Sequence, residues 1–269
     1  MGQIVSSARG LYSKIASSPL AFYFLKKKYY TRYNSFEPDC YKDIYSQLVE
    51  DGVVFIPNYI STTECEKWTQ ESESALQALL NGKQGCQYVS HRYPEYGVYR
   101  LLNFDTVVPL TSKFYEDEMI ETIAKSYVGE NIQSYQRMIE IRIGDNKESS
   151  ADKCHFDDWK HRFKAFLYLS EVDEDNAPFR YLLGSHNSNL WRGERFWKEY
   201  DYFLNGRKGS YGHYTDSQKE KLISKYGFEE KVFTGQAGSL ILVDTKGLHS
   251  GTPLKNGRRL VLANYFDVR

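Results

Sequence analysis

Apolar residues recur at helical spacing in the first half of the chain and form short, strand-like runs in the second half. The spacing predicts helices over residues 39–50, 61–80 and 114–127, and the second begins at the capping-box sequence Ser61-Thr62-Thr63-Glu64. β-branched and aromatic runs bounded by Gly, Asp and Asn predict strands. The predicted strands cover residues 53–56, 88–104, 138–143, 163–169, 178–183, 239–244 and 260–266. Helices followed by many strands predict a mainly β fold with flanking helices, such as a sandwich or barrel.

Two regions depart from this pattern. Residues 1–35 contain only basic charges, and apolar residues lie between them. A basic amphipathic segment binds anionic membrane surfaces, and the start Met1-Gly2-Gln3-Ile4-Val5-Ser6 matches the N-myristoylation pattern. Peripheral membrane contact is therefore one interpretation of residues 1–35, and a helix packed on the domain or a frayed end is the other. Residues 190–230 mix polar, aromatic and Gly residues and are predicted to form an insertion or lid within one domain over residues 36–269.

Composition narrows the classes of function. The net charge is zero, which argues against a general nucleic-acid binder that neutralises many phosphates. The four cysteines are scattered without a CxxC pair, which favours free thiols and a cytoplasmic location. No apolar stretch approaches the length of a membrane span. The 23 Tyr and 15 Phe residues suit an amphipathic pocket as well as core edges. The composition makes no prediction of oligomeric state.

The sequence His155-Phe156-Asp157 and the distant His249 form a candidate metal site. Residues at i and i+2 of an extended segment point to the same side, so a strand edge can present His155 and Asp157 to one metal ion. Two imidazoles and one carboxylate cap one face of an octahedral ferrous ion and leave positions open for a chelating co-substrate and dioxygen. The order of strands around these residues matches a double-stranded β-helix, in which an early and a late strand face each other.

An arginine pair follows His249 at the start of the last predicted strand. A guanidinium about ten residues after the second histidine suits the far carboxylate of a dicarboxylate such as 2-oxoglutarate. Adjacent strand residues face opposite ways, so only one of Arg258 and Arg259 can enter the barrel. Arg259 is the predicted anchor, and Arg258 is the alternative.

The sequence resembles the phytanoyl-CoA dioxygenase-like branch of the Fe(II)/2-oxoglutarate oxygenases over about residues 36–269, apart from the segment 190–230. Five stretches carry the resemblance. They are Asp51-Gly-Val-Val-Phe-Ile-Pro-Asn-Tyr-Ile-Ser61, His155-Phe-Asp157, Asn176-Ala-Pro-Phe-Arg-Tyr-Leu-Leu-Gly-Ser-His186, Leu248-His-Ser-Gly and Gly257-Arg-Arg-Leu-Val-Leu262. The resemblance implies a jelly-roll, cupin-like core and a basic partner for 2-oxoglutarate at Arg259 or Arg258. It also implies that His155, Asp157 and His249 bind iron.

The resemblance further implies a dioxygenase that hydroxylates an unidentified substrate with release of succinate and CO2. Related halogenases lack the carboxylate that Asp157 provides, so Asp157 favours hydroxylation or another oxidation. The substrate is expected to be a small or lipid-like molecule, and Trp159 and Arg137 are candidate substrate-binding residues. The alternative is a catalytically silent β-helix protein that binds a membrane or partner through its basic N-terminus.

Overall fold

A computed structural model describes residues 18–32, 35–81, 97–144, 150–187, 189–205 and 212–268. Within these ranges, the helices are α1 (Pro19–Arg32), α2 (Lys42–Asp51), α3 (Thr62–Leu80), α4 (Phe104–Val107), α5 (Ser112–Tyr115), α6 (Glu118–Val128), α7 (Arg192–Asn205) and α8 (Asp216–Tyr226). The strands are β1 (Val53–Ile56), β2 (Val98–Leu102), β3 (Ile132–Ile143), β4 (Phe163–Tyr168), β5 (Phe179–Leu182), β6 (Glu230–Phe233), β7 (Leu240–Asp244), β8 (His249–Ser250) and β9 (Arg258–Val268). Short 3₁₀ turns cover Pro109–Thr111 and Ser150–Asp152.

The strands form two antiparallel sheets. The larger sheet has the order β1-β7-β4-β9-β3-β2, and the smaller sheet has the order β6-β5-β8. Sequence neighbours are seldom neighbours in the larger sheet, so the chain crosses repeatedly between the two sheets. Two facing antiparallel sheets with such crossings are the arrangement that a double-stranded β-helix requires.

Strand β7 shows how the apolar pattern builds the core. Alternate side chains of a strand point to opposite faces of the sheet. Leu240 and Leu242 belong to the cluster that joins the larger sheet to the helices, whereas Ile241 and Val243 belong to the cluster between the two sheets. All four side chains are buried, because both faces of this strand are covered. The unbroken apolar run at 240–243 is therefore a central strand of the fold.

The face of the larger sheet that points away from the smaller one is covered by the helices of the first half. Phe104, Phe114 and Ile123 are fully buried there against Leu167 and Leu262 of the central strands. A third apolar cluster lies outside the smaller sheet, where Trp191, Leu222 and Phe228 pack with Leu182 and Leu248. Helices α7 and α8 thus occupy the segment between β5 and β6 that the sequence predicts to be an insertion or lid.

Helix α1 packs against helix α7 and the segment that contains Trp159. Phe22 is fully buried, and its ring lies 4.9 Å from the Phe203 ring and 5.5 Å from the Trp159 ring, centroid to centroid. The Tyr30 hydroxyl donates a hydrogen bond of 2.7 Å to the Trp159 carbonyl oxygen. Residues 19–32 of the predicted basic extension are therefore a helix that contacts the domain, whereas residues 1–17 lie outside the described residues.

Three structural expectations need correction. The fold is a mixture of helices and antiparallel sheets, and in the described residues the helices contain more residues than the strands, so mainly β is too strong a description. The single helix predicted over 114–127 is wrong at its start, because α5 ends at Tyr115 and α6 begins at Glu118. Asp117 separates them as an N-cap whose carboxylate accepts a hydrogen bond from the Ile120 backbone N–H.

The third correction concerns the strand predicted over 88–104, which is confirmed for Val98–Leu102 and is wrong at its end, because α4 begins at Phe104; residues 82–96 lie outside the described ranges. In the part of the chain that the structure describes, no helix combines the length and the apolar composition needed to cross a membrane. At the start of α3 only the N-cap half of the predicted capping box is seen: the Glu64 backbone N–H donates to Ser61 Oγ at 3.3 Å, and the Ser61 hydroxyl donates to Glu64 Oε2 at 3.0 Å.

Candidate metal centre

The two histidines of the candidate site are joined by backbone pairing. His155 forms an isolated antiparallel bridge with His249, the first residue of β8. The backbone N–H of each residue donates to the carbonyl oxygen of the other, and both distances are 2.9 Å. Asp157 follows two residues later, and its backbone N–H donates to the Thr245 carbonyl oxygen at 2.9 Å. Backbone pairing therefore fixes His155 and Asp157 beside the chain that runs from the end of β7 into β8, which carries His249.

The three side chains converge on one point. Asp157 Oδ1 lies 3.6 Å from His155 Nε2 and 3.8 Å from His249 Nε2. One ligand atom from each residue lies within 4.8 Å of the other two. Ligand atoms at about 2.1 Å from one ion and at right angles are about 3 Å apart, so a small inward shift of these atoms fits a single ion. Two imidazoles and a carboxylate on one side are the facial set of non-haem iron sites.

Hydrogen bonds orient both imidazoles for metal binding. The Nδ1 atom of His155 lies 2.7 Å from the Lys153 carbonyl oxygen, and that of His249 lies 3.0 Å from the Gly247 carbonyl oxygen. A carbonyl oxygen only accepts hydrogen bonds, so Nδ1 carries the proton in each ring. In the neutral form of each ring, the lone pair is then on Nε2, which lies 3.6 Å (His155) or 3.8 Å (His249) from Asp157 Oδ1.

The electrostatics hold His249 and Asp157 in the protonation states that a metal needs. Burial and the neighbouring His155 lower the pKa of His249 to about 3, so its imidazole is neutral. Burial alone would raise the pKa of Asp157, but the Lys164 ammonium and the two imidazoles outweigh it and hold this pKa well below its usual range. Lys164 Nζ donates to Asp157 Oδ2 at 2.5 Å, which leaves Oδ1 facing the histidines. Neutral imidazoles and an ionised carboxylate are the metal-binding forms.

The arginine pair after His249 is split between the inside and the outside of the fold. Arg259 is buried and lines the same cavity of about 270 Å³ as His155, Asp157 and His249. Arg258 is exposed and forms an ion pair with Glu73. The Arg259 Nε atom is buried and has no hydrogen-bond partner among the described residues. Burial and the adjacent Arg142 guanidinium lower the pKa of Arg259, so an anion beside it would be stabilised.

A network of charged side chains that the sequence analysis missed lies beside Arg259 in the cavity. Glu140 on β3 accepts a 2.9 Å hydrogen bond from Arg142 Nε and a 2.8 Å hydrogen bond from Arg100 Nε, and it lies 3.7 Å from Arg259. Arg142 also donates to the Thr252 carbonyl oxygen at 2.9 Å. The alternation of charged and apolar residues over 138–143 already indicates that Glu140 and Arg142 share a face.

The two predicted substrate-binding residues lie elsewhere. Trp159 is buried under helix α1 and contacts Phe22 and Tyr29. Arg137 lies on β3 and pairs with Asp105 at 2.6 Å, partly exposed to solvent. Neither residue is among the described residues that line the metal cavity.

Comparison with solved structures places this geometry in a known fold. EctD from S. alaskensis, solved with 2-oxoglutarate and 5-hydroxyectoine, has a TM-score of 0.61 and 14% identity, and the match covers 87% of this chain and 78% of EctD. HygX from Streptomyces hygroscopicus, solved with nickel, 2-oxoglutarate and hygromycin B, has a TM-score of 0.56 and 16% identity over 84% of this chain and 85% of HygX. The epimerase SnoN, in complex with Fe3+, alpha ketoglutarate and nogalamycin RO, has a TM-score of 0.57 and 11% identity over 84% of this chain and 82% of SnoN.

This chain has the fold of these enzymes. Identities this low establish shared architecture, and the facing antiparallel sheets agree with the double-stranded β-helix that the sequence predicts. No protein-family model matches the sequence, and no curated protein matches it either. Membership of the phytanoyl-CoA dioxygenase-like branch therefore stays a prediction.

Proposed function

We propose that the protein is an Fe(II)- and 2-oxoglutarate-dependent dioxygenase that oxidises a small organic molecule, with hydroxylation as the outcome. One observation carries the proposal. Three converging ligand atoms from His155, Asp157 and His249 share a cavity with a buried guanidinium, that of Arg259, whose Nε atom has no partner among the described residues. A metal site and an anion site in one cavity are what a chelated 2-oxoacid requires.

The residues present fit ferrous iron. His155 and His249 would each provide a neutral Nε2 atom, and Asp157 would provide Oδ1. Backbone carbonyls of Lys153 and Gly247 hold the two rings, so little side-chain freedom is lost when metal binds. A facial set of three ligands leaves open positions for 2-oxoglutarate and dioxygen.

Arg259 would bind the far carboxylate of 2-oxoglutarate. A guanidinium matches a carboxylate with two parallel hydrogen bonds, and the interaction is strong in a buried cavity. Glu140 holds Arg142 and Arg100 beside it and keeps the three guanidinium groups from repelling one another. Arg258, which lies at the surface with Glu73, would take no part.

Bound iron and 2-oxoglutarate would supply the oxidising chemistry. The balanced reaction converts a C–H bond, 2-oxoglutarate and O2 into an alcohol, succinate and CO2. Aromatic side chains of Phe166, Tyr168 and Phe179 line the cavity beside the ligands, and the Phe179 ring lies 5.6 Å from that of His249. These rings limit the water near the reacting atoms.

The substrate class follows from the size of the cavity and from similar structures. A cavity of about 270 Å³ suits a small molecule or the reacting end of a longer one. The similar structures are described with hygromycin B, nogalamycin RO and 5-hydroxyectoine, which supports a small-molecule substrate here. Three further statements stay predictions. They are membership of the phytanoyl-CoA dioxygenase-like branch, a cytoplasmic location, and peripheral membrane contact through residues 1–35.

Anaerobic titration tests the proposal. We expect Fe(II) and 2-oxoglutarate together to produce the weak visible charge-transfer band of a chelated 2-oxoacid, and air to yield succinate slowly without substrate. Each component alone should give no band. Absence of both the band and succinate would overturn the proposal and favour the silent binding protein.

A further inference from the structure

A second cavity, larger than the one that contains the metal triad, lies beside helix α1. Its volume is about 610 Å³, and its walls come from α1, α7 and the loops that carry His186 and Lys246. None of the described residues that line it also lines the metal cavity. A pocket of this volume has the size of a typical small-molecule site.

The charges around this cavity have one sign. Four cationic side chains line it, those of Lys26, Lys27, Arg192 and Lys246, and no carboxylate is among the described lining residues. Lys27 and Arg192 are exposed at its opening, whereas Lys246 lies inside. A concave surface lined by one sign of charge concentrates ions of the opposite sign.

Lys246 is a buried cation without a counter-ion. Its side chain is only 4% exposed, and Nζ donates to the His186 carbonyl oxygen at 2.8 Å. Nζ also lies 5.0 Å from the centroid of the Tyr30 ring. Among the described residues, no carboxylate lies within ion-pair distance of Nζ. Since an ammonium group has three donors, Lys246 keeps capacity for an anion.

The carboxylate of Asp244, the last residue of β7, already accepts four hydrogen bonds. Its Oδ2 atom accepts from His161 at 2.6 Å and from the Tyr127 hydroxyl at 3.0 Å. Its Oδ1 atom accepts from the backbone N–H groups of Arg162 and Lys246, both at 3.0 Å. Four donors fill the carboxylate, so it does not neutralise the Lys246 ammonium directly.

The carboxylate of Glu199 on α7 is likewise occupied by other partners. It accepts a 2.7 Å hydrogen bond from Arg195 Nε and pairs with Lys26 from helix α1. Burial lowers the pKa of Lys246 to about 8, although Asp244 and Glu199 oppose this shift. At neutral pH the cavity therefore contains an ammonium that an incoming anion would stabilise.

Four aromatic side chains line the same cavity. Tyr23 and Tyr30 of α1 and Phe196 of α7 line the cavity together with Tyr127. We propose that this cavity is a second ligand site, for a small organic anion with a carboxylate or phosphate group on Lys246 and a ring between the tyrosines and Phe196. The proposal concerns a site separate from the metal, and it does not depend on the proposed oxidation.

Phenyl phosphate is the probe for this site, and isothermal titration calorimetry of the metal-free full chain measures its binding. We expect binding with one site per chain, and weaker binding of phenol and of inorganic phosphate, which each carry half of the recognised chemistry. Lys246→Met should weaken phenyl phosphate binding about tenfold or more, because a hydrogen bond to a charged group is lost. No binding by the wild type, or equal binding by Lys246→Met, would overturn the proposal.

Variants at the opening keep the test valid if Lys246→Met fails to fold. Arg192→Gln and Lys27→Gln change exposed side chains of the lining and should each weaken binding several-fold. Lys28→Gln removes the same charge from the next position of α1, outside the lining, and should bind as the wild type does. Arg259→Met should also bind normally, and loss of binding in that variant would assign the probe to the metal cavity instead.

Discussion

His155 and His249 are 94 positions apart in sequence and are paired backbone to backbone, with two hydrogen bonds of 2.9 Å. Their imidazole centroids lie 4.3 Å apart. His249 on the edge strand β8 pairs with Tyr181 of β5 on one side and with His155 on the other, so strand pairing sets the separation of the two imidazoles. The fold therefore preorganises the candidate metal site, and its side chains would lose little freedom on binding an ion.

Removal of either histidine should abolish stable iron binding. His155→Ala and His249→Ala each delete one of three ligand atoms, whereas loss of a partner that only orients a ligand costs roughly 10–100-fold in affinity. We expect a larger loss than that for both variants. Fe(II) retained after anaerobic gel filtration, measured by a chelator assay, gives the stoichiometry.

His213→Ala is the matched control for these variants. The His213 ring lies 5.4 Å from the His155 ring but is not part of the converging triad. This variant should retain iron as the wild type does. Iron retention by His155→Ala, or loss in His213→Ala alone, would show that the ligand set is different.

The adjacent arginines provide a second test. Arg259→Met should raise the concentration of 2-oxoglutarate needed for half of the charge-transfer band about tenfold or more, because a charge-assisted pair in a buried cavity is lost. Iron binding itself should remain, since Arg259 is not a ligand. Titration with 2-oxoglutarate at saturating Fe(II) measures the effect.

Arg258→Met controls for the loss of one positive charge on the same strand. The Arg258 side chain lies outside and pairs with Glu73, so 2-oxoglutarate binding should be unchanged. Equal effects of the two substitutions would mean that neither guanidinium binds the co-substrate. A selective effect of Arg258→Met would reverse the inward and outward assignment of β9.

Local periodicity explains why the convergence of the candidate ligands was predictable and their surroundings were not. The i and i+2 spacing of His155 and Asp157 is written in the sequence, and strand alternation says that only one of two neighbouring arginines faces inward. Arg100 lies opposite Glu140 because β2 pairs with β3 in one particular register, which no local pattern specifies.

Packing between distant elements explains why Trp159 does not lie where the sequence predicts it. Trp159 follows the metal motif by two residues, which suggested a place at the mouth of the site. Phe22 and Tyr29 of helix α1 cover it instead. The position of a remote helix depends on tertiary packing, which outweighs proximity in sequence.

Acid sensitivity should depend on His186. Burial is the main cause that lowers the pKa of His186 to about 4, from an ordinary value near 6.5. Between these values the unfolded chain binds a proton that the folded protein does not. The free energy of unfolding is therefore fully retained above pH 6.5 and falls as the pH drops towards 4, by at most about 1.4 kcal/mol per pH unit from this group.

His186→Gln should reduce that slope, and its amide can replace the hydrogen bond from Nε2 to the Val49 carbonyl oxygen. Urea unfolding of the metal-free protein at pH 7 and pH 5 measures the slope in both chains. The contribution of His249 is common to both and cancels in the difference. An unchanged slope in His186→Gln would contradict the assignment.

Helix α1 gives a fourth prediction, which separates a packed helix from a detachable extension. Phe22 is fully buried among Trp159, Phe196 and Phe203, whereas Phe24 on the same helix is 58% exposed. Phe22→Ala should lower the free energy of unfolding by about 3–5 kcal/mol, the usual cost of emptying a buried aromatic site.

Phe24→Ala should change it by less than about 0.5 kcal/mol, as exposed substitutions do. Urea unfolding followed by tryptophan fluorescence reports on this region directly, because Trp159 lies against the Phe22 ring. If both variants were as stable as the wild type, residues 19–32 would not belong to the folded domain, and the membrane interpretation of residues 1–35 would be favoured. A large loss confined to Phe22→Ala would show that the helix is part of the fold that holds the Trp159 segment, two residues from the candidate metal ligand Asp157.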